Sequence, residues 1–237
     1  MKTYDPSEPL IGLHIPKTGG SSLLAVLQGW FPEGRLVQHY RVANGLPERH
    51  ALTGGTCAYG HFNAMRGFGV RDYYPDVRQL FCFVREPFDR VLSMWCYANR
   101  RQASGDERRT LADHPSFEAW LKRMVDQEVA KTNERCMVAH VLGVGSGVID
   151  EVLENEFVFV GTMERFAESV DCLADILGKP RSVLGHVNKA VRTETDLEKW
   201  RPFYEEHFSR DMELYSAACR INADMLDAFN RGEASRR

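Results

Sequence analysis

The stretch that most limits what this chain can fold into is "PLIGLHIPKTGGSSLLAVLQGWF", residues 9–31. Its first part is a short apolar run stopped by Pro16, which reads as a buried strand. Its last part carries Leu23, Leu24, Leu27 and Trp30 at helical spacing, with Ser21 or Ser22 placed to cap the start. Between them lie Lys17, Thr18, Gly19 and Gly20. A strand that turns through glycines into a helix presents free backbone N–H groups and the positive end of the helix dipole. The junction therefore predicts an anion site, with phosphate as the natural anion. The glycines allow close approach of the backbone to such a group. The order differs from Gly-x-x-x-x-Gly-Lys-Ser/Thr, because here the lysine precedes the glycines. A plain tight turn is the alternative reading.

A second strand-to-helix junction follows in "VRQLFCFVREPFDRVLS". The apolar run from Leu80 to Val84 is the clearest strand of the chain. Arg85 stands at its end, Pro87 is placed to open a helix, and Arg90 and Ser93 lie three residues apart on that helix. In a parallel sheet both junctions fall on the carboxyl edge, where ligands bind. Two anion sites on one edge suit a ligand with two separated phosphate-type groups. The competing reading makes Arg85 and Arg90 surface ion-pair partners of Glu86 and Asp89.

Elsewhere "RLVQHY", a segment ending at Tyr59 and "EFVFVG" read as further strands. Helices are expected at 115–126, at 129–142 and in "ERFAESVDCLADILG", which Gly178 ends, and through the C-terminal third to about residue 230. Residues 101–114 read as a solvated loop, 179–195 as irregular and 231–237 as a disordered tail. Strands alternating with helices predict an α/β fold with a central, mainly parallel sheet covered on both faces.

A chain of 237 residues with 43% hydrophobic content supports one sizeable core. The net charge of −3 argues against nucleic acid or an anionic membrane surface as partner. Cys57, Cys82, Cys96, Cys136, Cys172 and Cys219 form no C-x-x-C pair and sit mostly in apolar runs, so they read as buried reduced thiols. No metal-ligand spacing stands out and no metal is expected. The N-terminal "MKTYDPSEPL" has no apolar signal region, and no stretch approaches the ~20 apolar residues of a membrane span. A soluble, reducing, cytoplasmic setting is the expectation.

With both junctions in view, "HIPKTGGSS" resembles the 5′-phosphosulfate loop of sulfotransferases that use 3′-phosphoadenosine 5′-phosphosulfate (PAPS). "FVREPFDRVLSMW" resembles their 3′-phosphate site, Arg-x-Pro-x-x-Arg-x-x-Ser. "AYGHFNAMRGFGV", "FVFVGTMERFAESVDCLADILG" and "HVNKA" resemble the carbohydrate-type branch that includes heparan sulfate 2-O-sulfotransferase. The likeness spans roughly residues 10–220. It implies a P-loop-like three-layer sandwich, a single domain over 1–237, and PAPS as cosubstrate with PAP, the desulfated nucleotide, as product. It implies that Lys17, Thr18, Gly19, Gly20, Ser21 and Ser22 wrap the 5′-phosphosulfate, that Arg85 and Ser93 hold the 3′-phosphate, and that His61 is the catalytic base. Lys17 is implied to neutralise the leaving oxygen. A late loop, with Lys189 and Arg192, is implied to cover the nucleotide.

The resemblance implies a hydroxyl acceptor, a sugar hydroxyl first, with other small-molecule alcohols as the alternative. Arg35, Arg41, Arg49, Arg66 and Arg71 form a basic patch or are scattered and solvated. Tyr59, Phe62, Phe68, Tyr73 and Tyr74 line a cleft or pack the core. His14 is read as pointing into the sheet, and His39, His50 and His186 carry no assignment. Two other functions stay open: a P-loop phosphotransferase, which would want Gly-Lys-Ser/Thr after the glycines and an acid for magnesium, and a non-catalytic nucleotide-binding protein.

Overall fold

The computed structural model describes residues 1–41, 45–103, 116–129, 135–141, 143, 148–182 and 195–232. Its frame is a five-stranded sheet: β1 (Leu10–Leu13), β2 (Leu36–His39), β3 (Cys57–Gly60), β4 (Gln79–Val84) and β5 (Phe157–Thr162). The order across the sheet is β2-β3-β1-β4-β5, and every pairing is parallel. All residues of β1, β3, β4 and β5 are buried. This is why these strands read as continuous apolar runs rather than alternating ones.

Helices cover both faces. On one side α1 (Gly20–Trp30) and α7 (Phe166–Ile176) pack Leu23, Leu27, Val170 and Leu173 against Leu10, Tyr59, Phe81 and Phe83. On the other, Ile11, Leu13, Leu80, Cys82 and Val84 meet α3 (Pro87–Ala103), α4 (Phe117–Val129), α5 (Met137–Val141), α6 (Ile149–Glu156) and α8 (Arg201–His207). The long α9 (Ser209–Asn230) runs along β5 and gives side chains to both cores. A one-turn α2 (Val70–Tyr73) and 3-10 turns at Ala64–Arg66 and Thr195–Trp200 complete the described elements. The predicted three-layer α/β sandwich is the observed one.

The local differences have physical reasons. The helix expected over 129–142 is divided: residues 135–136 are turn and bend, and α5 starts at Met137. Of the polar loop expected over 101–114, residues 101–103 belong to α3, which runs to Ala103, and residues 104–114 lie outside the described residues. The helices α2 and α6 were not foreseen; both are short, so each offers few apolar positions to set a period. Gly178 ends α7 as expected, with φ 63° and its N–H on the Asp175 carbonyl. All six cysteines are free thiols, and Cys57, Cys82, Cys136 and Cys172 are buried. Among the described residues no helix is long and apolar enough to cross a membrane.

Candidate active site

Parallel pairing brings the site together. The register sets Leu13 beside Gly60, and Gly60 beside His39. One residue beyond those strand ends stand His14, His61 and Tyr40, in a row along the carboxyl edge. His14 N–H donates to the Gly60 carbonyl at 2.8 Å, and His61 N–H to the His39 carbonyl at 2.9 Å.

His61 is half-buried, and its Nδ1 lies 2.7 Å from the His14 carbonyl oxygen. A carbonyl only accepts, so Nδ1 carries the hydrogen. In the neutral ring Nε2 then holds the lone pair. The His14 ring is stacked between His61, with centroids 4.3 Å apart, and Tyr59, at 5.5 Å. Its Nδ1 is 2.9 Å from the Tyr40 hydroxyl, and the Tyr40 ring stands edge-on to His61 at 5.0 Å. Burial, with His61, His140 and Lys17 nearby, pushes the His14 pKa down to about 3, so that ring is neutral beside His61. Burial pushes the Tyr40 hydroxyl up to about 12. The expectation that His14 turns into the sheet is corrected in part: it lies over the end of the sheet, in the site itself.

The loop from Ile15 to Gly20 is tightly wound. Thr18 is buried and its hydroxyl donates to the Ile15 carbonyl at 2.8 Å. Lys17 has φ 72°, the only positive φ of a non-glycine residue among those described, and its ammonium sits 4.1 Å from the Tyr97 ring centroid on α3. Gly19 has φ 78°, and a Cβ there would lie 2.5 Å from Met163 Sδ. A Cβ on Gly20 would lie 1.7 Å from His14 Nε2. The close approach that demands glycine is thus to protein side chains beneath the loop. Helix α1 begins at Gly20 with no side-chain cap and no acid in its first turn. The N–H groups of Gly20, Ser21 and Ser22 therefore keep their positive field.

At the second junction Arg85 is half-buried, with Nη1 in long contact, 3.5 Å, with the Lys17 carbonyl. Ser93 is half-buried two turns into α3. Among the described ion pairs, Arg90 meets Asp211 rather than Glu86 or Asp89. The latter two carboxylates meet Arg201, at 3.0 and 3.3 Å. Arg90 is wholly buried. For Arg90 the surface ion pair is replaced by a buried contact with Asp211.

The aromatic question also resolves. Tyr59, Phe62, Phe68 and Tyr74 are buried, and Tyr73 donates its hydroxyl to the Pro47 carbonyl at 3.0 Å. Arg71 is held by Glu156 at 2.6 Å and Arg35 reaches the Gly54 carbonyl at 3.2 Å. Arg49 lies over Tyr73, and Arg41 over Phe68 near the His61 edge. Four of these aromatic rings thus pack the core, and Arg35, Arg41, Arg49 and Arg71 each meet a different partner.

Lys189, Arg192 and His186 lie outside the described residues. One residue of the site escaped the sequence reading: His140 on α5, buried, with Nδ1 donating to the Phe62 carbonyl at 2.8 Å. Burial drives its pKa down to about 3, and Arg90, His61 and Arg66 add to the effect. Within "CMVAHV" it reads as core. Among the described residues no three His, Cys, Asp or Glu side chains are grouped to hold a metal ion.

The sequence model of the sulfotransferase family matches residues 2–216. Among curated proteins none matches by sequence. A similar solved structure is that of mouse sulfotransferase SULT7A1 complexed with PAP. It has 14% identity and a TM-score of 0.57 over 93% of this chain and 90% of that one, a likeness of fold.

Proposed function

The chain belongs to the sulfotransferase family, and from that membership we propose that it moves a sulfuryl group from PAPS to an acceptor hydroxyl, on a carbohydrate, as in the branch that holds heparan sulfate 2-O-sulfotransferase. We read residues 1–237 as one such domain, and the free cysteines suit a reducing, cytoplasmic setting. The observation that carries the proposal is the His61–His14 contact. It leaves an unprotonated Nε2 on the same sheet edge as the uncapped α1 N-terminus and Lys17.

In this reading the acceptor hydroxyl gives its proton to His61 Nε2 as its oxygen attacks sulfur in line. The S–O bond to the nucleotide breaks, and Lys17 neutralises the oxygen that leaves. The ring of His61 becomes cationic, and its Nδ1–H bond to the His14 carbonyl strengthens. A neutral His14 alongside adds no opposing charge. Thr18 and the N–H groups of Gly19, Gly20, Ser21 and Ser22 hold the 5′ group, Arg85 and Ser93 the 3′-phosphate, and Lys189 and Arg192 close over the nucleotide.

Calorimetry tests the nucleotide and radiolabelled PAPS with a panel of glycans and alcohols tests the transfer. PAP should bind much more tightly than ATP, which lacks a 3′-phosphate; equal affinities would overturn the assignment. His61→Ala should keep PAP binding and lose about 10²–10⁴-fold in rate. The wild-type rate should rise with pH as the ring loses its proton. A folded His61→Ala protein with an unchanged rate moves the base elsewhere.

A further inference from the structure

Arg90 has 0% of its surface exposed, yet it lies in α3 where a surface charge was the simple expectation. Its Nη2 donates to the Arg135 carbonyl at 2.6 Å and lies 3.6 Å from Asp211 Oδ2. Its Nη1 reaches the Pro16 carbonyl at 3.4 Å and Met94 Sδ at 3.3 Å, and its Nε has no hydrogen-bond partner among the described residues. Asp211, in the first turn of α9 and 1% exposed, accepts the N–H groups of Met137 and Val138, both at 3.0 Å, and the Tyr204 hydroxyl at 3.4 Å.

These contacts close a circuit. Pro16 is the residue before Lys17. From it the path runs through Arg90 to Asp211 and the start of α5, along α5 to His140, and through the His140–Phe62 bond to the neighbour of His61. It returns from His61 to the His14 carbonyl, two residues before Pro16. The two groups that must flank the sulfur are thus fastened to one frame from both sides. A buried pair with an unsatisfied Nε is a poor device for stability alone, because apolar residues of similar volume often serve as well. Geometry that must hold to about 1 Å gives it a purpose.

We propose that Arg90 and Asp211 are a positioning pair, which sets the Lys17 loop and the His61 ring at their working separation through α5 and His140. The proposal rests on the sulfuryl-transfer reading for its effect on rate, but not for its effect on the His61 ring. Among the described residues, His14, His39, Tyr40 and His140 interact with that ring, with Lys17 acting on His14 and Arg66 on His140. All are retained in the test.

The test compares wild type with Arg90→Met/Asp211→Asn, which removes both charges together and keeps an acceptor for α5, and with Arg90→Lys, which keeps the charge but loses the fork. Three quantities are read: PAP affinity, kcat at saturating substrates, and the NMR titration midpoint of His61 in the free protein. The expected result for the folded double variant is PAP affinity within about threefold of wild type, kcat down about ten- to hundredfold, and a displaced His61 midpoint. Arg90→Lys should lie between. A double variant with normal kcat and an unmoved midpoint overturns the proposal, as does one that unfolds while Arg90→Lys behaves as wild type. If wild type neither binds PAP nor transfers sulfate, the functional reading fails, and the His61 midpoint still decides whether the pair governs the ring.

Discussion

The two strand-to-helix junctions look alike in the sequence and differ in how they can hold an anion. At the first, α1 starts on Gly19 and Gly20 with no side-chain cap and no acid in its first turn. At the second, Glu86 turns its carboxylate onto the start of α3, accepting the N–H groups of Phe88 at 3.2 Å and Asp89 at 2.7 Å. Arg201 then neutralises Glu86 and Asp89. The first helix start is open to a ligand anion; the second is already occupied by the protein's own acid. A phosphate at the second junction would need side chains, and the proposed function gives that task to Arg85 and Ser93. One at the first can be held by backbone. A backbone site tolerates loss of a hydroxyl and not a change of shape, whereas a side-chain site stands or falls with its arginine.

Acid should separate the two regions most. Burial lowers the pKa of His14 and His140 to about 3 and of His39 to about 4. All three lie at the His61 side of the sheet edge. Above pH ~6.5 these rings are neutral in the folded and unfolded chain alike and the effect vanishes. As pH falls below that value the unfolded chain takes up protons that the folded one refuses, so stability declines until about pH 3. His14 and His140 each forfeit on the order of 2 kcal/mol by pH 5, and Tm should drop by roughly 10 °C or more between pH 7.5 and 5. Hydrogen exchange should show the amides of residues 14–20 losing protection before those of residues 87–92. Equal loss at both would erase the distinction.

Gly20→Ala should be the next largest effect. The new Cβ meets His14 Nε2, so the ring must leave its slot between Tyr59 and His61. Turnover should fall by about 10²-fold or more, the scale of an ångström misplacement, while PAP affinity falls less. A variant that loses affinity and keeps kcat would mean that the glycine serves the ligand rather than His14.

Arg85→Ala tests the other side. The loss of charge-assisted bonds to a 3′-phosphate should cost about 1.5–3 kcal/mol in PAP binding. Adenosine 5′-phosphosulfate, which lacks that phosphate, should bind the variant and the wild type alike. Equal weakening of both nucleotides would place Arg85 on the first site, towards the Lys17 carbonyl that it already approaches.

What could be read ahead of the structure follows the range of the interactions. The strands β1, β4 and β5 are apolar on both faces, and the Lys17 loop and Arg85 are local patterns, so each is legible in a few residues. The row of Tyr40, His61 and His14 depends on register between strands far apart in sequence. The His140–Phe62 bond joins residues 78 apart, and Arg90 meets Asp211 only once α9 is docked. No local spacing encodes such pairs. Even Glu86 misled, because as a neighbour of Arg85 it reads as an ion-pair partner, while in the folded chain it caps the helix.

The smallest expected effect is the sharpest test of the comparison. Ser21 is exposed and Ser22 half-buried at the open start of α1. If the N–H groups carry the anion, each hydroxyl adds at most one hydrogen bond, with a net worth of about 0.5–1.5 kcal/mol and less at an exposed position. Ser21→Ala should therefore change PAP affinity by no more than about threefold, and Ser22→Ala only slightly more. Neither substitution alters the backbone, the charge or the helix propensity in an unfavourable direction, since alanine is the better helix former. Calorimetry of the two variants under the conditions used for Arg85→Ala gives the comparison directly. A loss of tenfold or more at Ser21 would mean that the hydroxyl, not the helix start, is the donor that matters. The first junction would then be a side-chain site like the second, and the open N-terminus of α1 would be a consequence of packing around His14 and Met163 rather than a place for the ligand.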